Sequence, residues 1–276
     1  MTRESPSPRR PAPRPSAGWA RGAFLAMALL ALLALWHAGA SAARPAPAGA
    51  PSIAAILWDW TPAILKGFAA NVGISLASAL FATVLGTFVG IGQLSLHRPV
   101  RWLCWLFTHL FRNAPWLVLL FYCMLLLPFQ VRVGAWVVPI PDWVKAVAGI
   151  SIAAAANMSE IVRGAIQSIP TGQWESAASL AFSRTQALWM IVLPQCVKRM
   201  LPPWMNLYAL IMVSTPLCAI VGVSEIMTVA ADILAANARH DLLMPVYLYL
   251  LVLFFLYCYP IAVLTRRLER KFAIAG

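Results

Sequence analysis

Residues 172–194 read GQWESAASLAFSRTQALWMIVLP, a serine- and alanine-rich, partly polar stretch in a chain otherwise dominated by apolar runs. Pro170, Thr171 and Gly172 at its start are a turn signal that closes one helix and lets another begin. From Trp174 onward Ala177, Ala178 and Ala181 fall on one helical face, where their lack of bulk lets another surface approach the backbone. Ser183 and Gln186 have the S-x-x-Q spacing of a capping box, so a second helix is expected to start there and run into Pro194. A lipid-facing element has no use for so polar a face, and a linker has none for two ordered helices. The stretch is read as a short helix, a sharp turn and another helix, built to dock.

The rest of the chain defines the solvent around this element. With 61% hydrophobic and 11% charged residues in 276, and a mean hydropathy of +0.77, it has too little polar surface to cover a soluble globule. The apolar runs approach the roughly 20 residues a membrane helix needs, and nothing resembles the alternating strands of an outer-membrane barrel. The fold class is therefore all-α, a polytopic membrane protein. Spans are expected near residues 71–94, 101–127, 143–161, 203–221 and 245–264, with an interfacial segment around Trp58 and Trp60. Residues 1–21, rich in Pro and Arg, are expected to be a disordered basic tail, and residues 22–42 a transmembrane anchor or a cleavable signal peptide. Cys104, Cys123, Cys196, Cys218 and Cys258 are scattered singly and read as small apolar side chains.

Basic residues orient the bundle. With the N-terminus inside, Arg98, Arg101, Arg163, Arg184, Lys198, Arg199, Arg266, Arg267, Arg270 and Lys271 join the arginines of the tail on the cytoplasmic side. The outside receives only Arg44, Lys66, Arg132, Lys145 and Arg239. The docking stretch and the C-terminus then face the cytoplasm. The net charge of +12 is accounted for by topology and attraction to anionic lipid, without nucleic acid.

Three ordered segments carry a family resemblance. ESAASLAFSRTQALWMIVLPQCVKRMLPPWMN (175–206) resembles the "EAA" loop of permease subunits of binding-protein-dependent ABC importers, with Glu175, Ala177, Ile191, Leu193 and Pro194 at the positions of that pattern. FRNAPWLVLLF (111–121) and SEIVRGAIQSIPTGQWESA (159–177) are similar to segments of the polar amino-acid subfamily. The resemblance covers residues 56–271. It implies a five-helix permease core in the bacterial inner (cytoplasmic) membrane, with 172–194 as the loop that couples to a cytoplasmic ABC ATPase through Glu175, Ala177, Ala178, Ala181, Ser183, Leu193 and Pro194. It further implies a second permease subunit, identical or homologous, and a periplasmic solute-binding protein, moving polar amino acids or related small amphoteric solutes. No phosphate-binding Gly-x-x-x-x-Gly-Lys-Ser/Thr occurs in the chain. ATP and magnesium are therefore expected on the ATPase partner, with no cofactor and no enzymatic activity in this chain.

The pattern is not kept everywhere. Ala181 stands where the loop has its glycine; if that position is left-handed, alanine costs on the order of 1 kcal/mol, and otherwise the turn is shaped differently. Ser176 replaces the pattern's first alanine. VSTPL (213–217) replaces a Lys-Asp-Thr-Ser-Leu common in relatives, and Pro216 is expected to kink the span.

Polar groups near the spans are the candidates for a substrate pathway. Arg112 and Glu160 lie at matching depths and are expected to pair across the bundle, either as a structural ion pair or toward substrate. Asn113, Asn157, Gln167 and Thr215 are able to hydrogen-bond an ammonium or carboxylate, or another helix. His37, His97, His109 and His240 share no metal-ligand spacing. Gly86, Gly90 and Gly92 are expected to permit close helix packing. A secondary carrier or a non-transporting assembly subunit are the competing classes; the first lacks an evident inverted repeat, and the second leaves the docking stretch unexplained.

Overall fold

A computed structural model describes residues 51–134 and 136–272. The expectations for residues 1–21 and 22–42 lie outside these described residues. Helix α1 (Ile53–Gly92) opens with the Ser52 side chain accepting from the Ala55 amide at 3.2 Å. Its 40 residues absorb both the interfacial segment and the span expected from Asn71. Pro62 lies inside and withdraws one amide from the ladder. At about 1.5 Å per residue this helix is roughly twice the apolar thickness of a bilayer, so one end projects beyond it.

The single span expected over residues 101–127 is instead two helices, α2 (Arg98–Asn113) and α3 (Trp116–Leu126), whose axes differ by 109°. Pro115 causes the break: it caps α3 and leaves Ala114 extended (φ −77°, ψ 138°), which ends α2. A two-stranded hairpin follows, β1 (Gln130–Val133) antiparallel to β2 (Trp136–Pro139), with Val131 opposite Val138. Beneath it Lys145, expected among the outer basic residues, is fully buried. Its Nζ lies 3.4 Å from Asp142 Oδ1 and 3.4 Å above the centre of the Phe129 ring.

Helix α4 (Asp142–Gln167) runs through the middle of the bundle, with Ala153, Ala154, Ala155 and Ala156 completely buried. It meets α1 at backbone distance. A Cβ on Gly86 would lie 2.7 Å from the Ala155 carbonyl oxygen, and one on Gly90 2.6 Å from that of Ser159. These glycines thus do what their spacing predicts. On the other side of α4, Leu120 of α3 sits against Gly149, while α2 crosses lower down, where Thr108 Oγ1 and Ser159 Oγ are 2.8 Å apart.

The chain then makes α5 (Thr171–Ser179), α6 (Arg184–Ala187), a π-helical turn (Leu188–Val192) and α7 (Leu193–Ser214). The expected end at Pro194 is a correction: the helix passes through it. Proline in a helix removes one bond and crowds the carbonyl four residues back; the wider π turn immediately before Pro194 accommodates both. The α-helix gives way instead at Thr215, where Pro216 lies at the start of a 3-10 turn (Thr215–Val221). Helix α8 (Ile226–Asn237), not anticipated, is too short to cross, and α9 (Leu243–Phe272) closes the described fold. Among the described residues four helical segments are long and apolar enough to span a membrane, or five with the bent α2–α3 pair as one. The chain is an all-α, multi-pass membrane protein.

Candidate functional site

The docking stretch folds as a helix, a turn and a helix. Helix α5 ends in a Schellman arrangement: the Phe182 amide donates to the Ala177 carbonyl at 3.1 Å and the Ala181 amide to that of Ala178 at 2.9 Å. Ala181 occupies the left-handed position, φ 59°. The turn therefore keeps its glycine-type geometry, and alanine bears the steric cost of about 1 kcal/mol. Ser183 forms the expected capping box: its Oγ accepts from the Gln186 amide at 3.3 Å while Gln186 Oε1 accepts from the Ser183 amide at 2.9 Å.

Side chains of α7 fasten the element and the helix end that precedes it. Gln195 Nε2 donates to Gln173 Oε1 at 3.2 Å, tying α5 to α7, and Arg199 Nη1 donates to the Ser168 carbonyl at 2.6 Å, tying α7 to the end of α4. The open face expected of three alanines is corrected at one of them. Ala177 is 2% exposed, turned into the chain, and its carbonyl accepts from the Phe182 amide within the tight turn. Ala178, Ala181 and Glu175 remain exposed. Ala178 borders a shallow cavity of ≈ 440 Å³ with Trp174, Phe182, Arg184 and Ala187. Leu193 packs against the main apolar cluster, and Pro194 is exposed.

The candidate pathway residues fall into separate groups: Arg112, Glu160 and Gln167 gather around Arg163, while Asn113, Asn157 and Thr215 stand apart. Arg112 does approach Glu160, at 3.7 Å, but the nearer partner is Arg163, whose Nη2 and Nε lie 2.6 and 3.1 Å from the two carboxylate oxygens. Arg163 also donates to Gln167 Oε1 at 3.0 Å. Arg163 is three residues beyond Glu160, the spacing at which helix side chains meet, and that signal was available in SEIVR. Asn113 and Asn157 donate to the carbonyls of His109 and Ala153 on their own helices, at 2.7 and 2.9 Å, and bridge to no other helix.

Thr215 belongs to a second, deeper cluster. Asn71 Nδ2 donates to Thr215 Oγ1 at 2.9 Å and to Glu225 Oε2 at 2.7 Å, and Asn71 Oδ1 accepts from the Ile226 amide at 3.1 Å. Glu225 Oε1 accepts from the Met227 amide at 2.8 Å, capping α8. All three side chains are buried. Alongside them Ser75 and Tyr257 hydrogen-bond the Tyr208 hydroxyl at 3.2 and 2.6 Å. A lone carboxylate in the apolar run GVSEIM was the readable signal for Glu225, since charge at membrane depth is costly unless paired. Asn71 and the tyrosines gave none.

This arrangement, a bundle of bent and glycine-packed membrane helices with a two-helix element fastened across one end, defines the class of membrane transport subunit. Residues 82–274 match the family described as "Binding-protein-dependent transport system inner membrane component", and the chain belongs to it. Among curated relatives, the "L-cystine transport system permease protein TcyB" of Bacillus subtilis (strain 168) is 27% identical over 79% of this chain and 92% of its own length. The "Probable amino-acid ABC transporter permease protein YckA" of the same organism is 31% identical over 77% of this chain and 90% of its own. Among solved structures, the fold is similar to a chain of an amino acid ABC transporter crystallised with histidines, at TM-score 0.68 and 19% identity, covering 81% of this chain and 100% of that one. It is also similar to a chain of the inward-facing MetNI methionine ABC transporter, at TM-score 0.57 and 19% identity, covering 75% of this chain and 95% of that one.

Proposed function

We propose that this chain is the permease subunit of an ABC importer for polar amino acids or related small amphoteric solutes, driven through residues 172–194 by a cytoplasmic ATPase that binds ATP and magnesium. The observation that carries the reading is the docked two-helix element: a capped, left-handed turn held to α4 and α7, with Glu175, Ala178 and Ala181 turned outward. The permeases that it resembles along nearly their whole length, named for cystine and amino-acid transport, support the solute class. A second permease copy or homologue completes the pathway, and a periplasmic binding protein delivers the solute. The distribution of basic residues supports a cytoplasmic coupling element and C-terminus. A secondary carrier has no role for such an element.

Ala178→Trp is the direct test. It adds bulk on the outward face, at the edge of the open cavity that Ala178 borders, so the ATPase should no longer seat. In vesicles reconstituted with the ATPase and binding protein, binding-protein-stimulated ATP hydrolysis and amino-acid uptake should fall at least tenfold. Uptake at the unmodified rate by an assembled Ala178→Trp complex would remove this face as the coupling surface.

A further inference from the structure

A cavity of ≈ 580 Å³ opens between the end of α1, helix α2 and the end of α4, beside the coupling element. Helix α2 lines it with Arg98, Arg101, Trp105 and His109, positions three, four and four residues apart that share one face. Helix α4 contributes Glu160 and Arg163, which already neutralise one another at 2.6 Å. Among the described residues neither Arg98 nor Arg101 has a carboxylate partner; Arg101 only reaches the Ser95 carbonyl, at 3.4 Å. The cavity therefore carries two uncompensated guanidinium groups, whose planar donor forks match phosphate oxygens.

Its apolar wall is as specific. Trp102 and Trp105 are 58% and 48% exposed, and the Trp105 ring stacks on His109 with centres 4.1 Å apart. Because α2 is turned 109° from α3, which packs along α4, it runs across the bundle instead of through it. A helix lying in that plane, with arginines and tryptophans together, is placed at headgroup depth. A free phosphate in water would make no use of the two indoles or of Leu94.

We infer that this cavity binds an anionic phosphate group, and that its source is an acidic phospholipid of the leaflet on the coupling side. Arg98 and Arg101 hold the phosphate, and Trp102 and Trp105 border the glycerol and upper acyl chains. The same cavity shares Leu94 and Gln167 with a second one that reaches Trp174 and Arg184, so the lipid sits next to the coupling element. The assignment rests on reading the chain as a membrane subunit with this end toward the cytoplasm, and the test needs neither ATP, solute nor partner, so failure of the transport reading is scored separately.

The full chain in detergent is titrated with phosphatidylglycerol, phosphatidylcholine and soluble glycerol 3-phosphate, and bound molecules are counted by native mass spectrometry. One phosphatidylglycerol should be retained at least tenfold more tightly than phosphatidylcholine. The R98Q/R101Q pair should weaken it about 30-fold, as expected for removing two interfacial charges. R267Q/R270Q, which removes the same charge from α9, should leave it in place. Absence of headgroup preference in the unmodified chain, equal retention by R98Q/R101Q, or equal loss in both pairs would overturn the site. Binding of glycerol 3-phosphate as tight as that of the lipid would overturn the lipid as its source.

Discussion

The α1–α4 seam and the coupling element are both built from small residues, yet they use them in opposite ways. At the seam, Gly86 and Gly90 are consumed: helix backbones occupy the space that a side chain would need. In the coupling element Ala177 and Ala187 are spent internally, while Ala178 and Ala181 stay open. Glycine and alanine content alone does not separate a closed contact from a waiting one. The separation comes from what surrounds them: the seam lies in continuous apolar helix, whereas the coupling element is interrupted by a left-handed turn and a capping box, which set one alanine inward and its neighbours outward.

Substitution at the seam should have the largest effect. In Gly86→Leu the first added carbon already meets the Ala155 carbonyl at 2.7 Å and Met158 Cβ at 2.5 Å, and backbone has little room to yield. Overpacking costs about 1–3 kcal/mol where side chains relax, and here the upper end or beyond is expected. The yield of monodisperse chain in detergent should collapse; a normal yield and melting temperature would show that α1 and α4 are not in close contact.

Adjacent alanines offer a finer comparison. Ala177→Trp should lose about 1–3 kcal/mol of local stability because the buried alanine leaves no room for a larger side chain, seen as faster proteolysis within residues 172–183 of an otherwise intact bundle. Ala178→Trp, one residue away, should leave proteolysis of the isolated chain unchanged, as exposed substitutions usually stay within about 0.5 kcal/mol. Equal effects from the two would erase the inward–outward distinction. The smallest expected change has the opposite sign: Ala181→Gly relieves the left-handed alanine and should slow proteolysis of the same segment by the equivalent of about 1 kcal/mol.

The turn, the capping box and the glycine seam were legible from residue type and spacing because each depends on neighbours within a few positions. Ala177 was legible as small but not as inward, since its burial depends on how α5 is set against the rest of the chain. The break at Pro115 carried a local signal, proline after Arg112-Asn113-Ala114, that the high apolar content on both sides masked. Helix α8 was hidden for a different reason: a helix that enters the bundle and stops has neither the length of a span nor the polarity of a loop. The Asn71–Thr215–Glu225 cluster joins residues more than a hundred positions apart, and no periodicity announces such a contact.

The π turn before Pro194 has a mechanical consequence. Because the helix does not break there, Arg184 at the coupling element and Ser214 beside the Asn71–Thr215–Glu225 cluster lie on one continuous helical run about 45 Å long at the usual rise per residue, with Pro202 and Pro203 inside it. A hinge at Pro194 would let the membrane half stand still while the cytoplasmic half tilted. A helix unbroken at Pro194 removes that hinge from the foot of the coupling element, and bending between Ser183 and Thr215 falls instead to Pro202 and Pro203, the prolines inside α7.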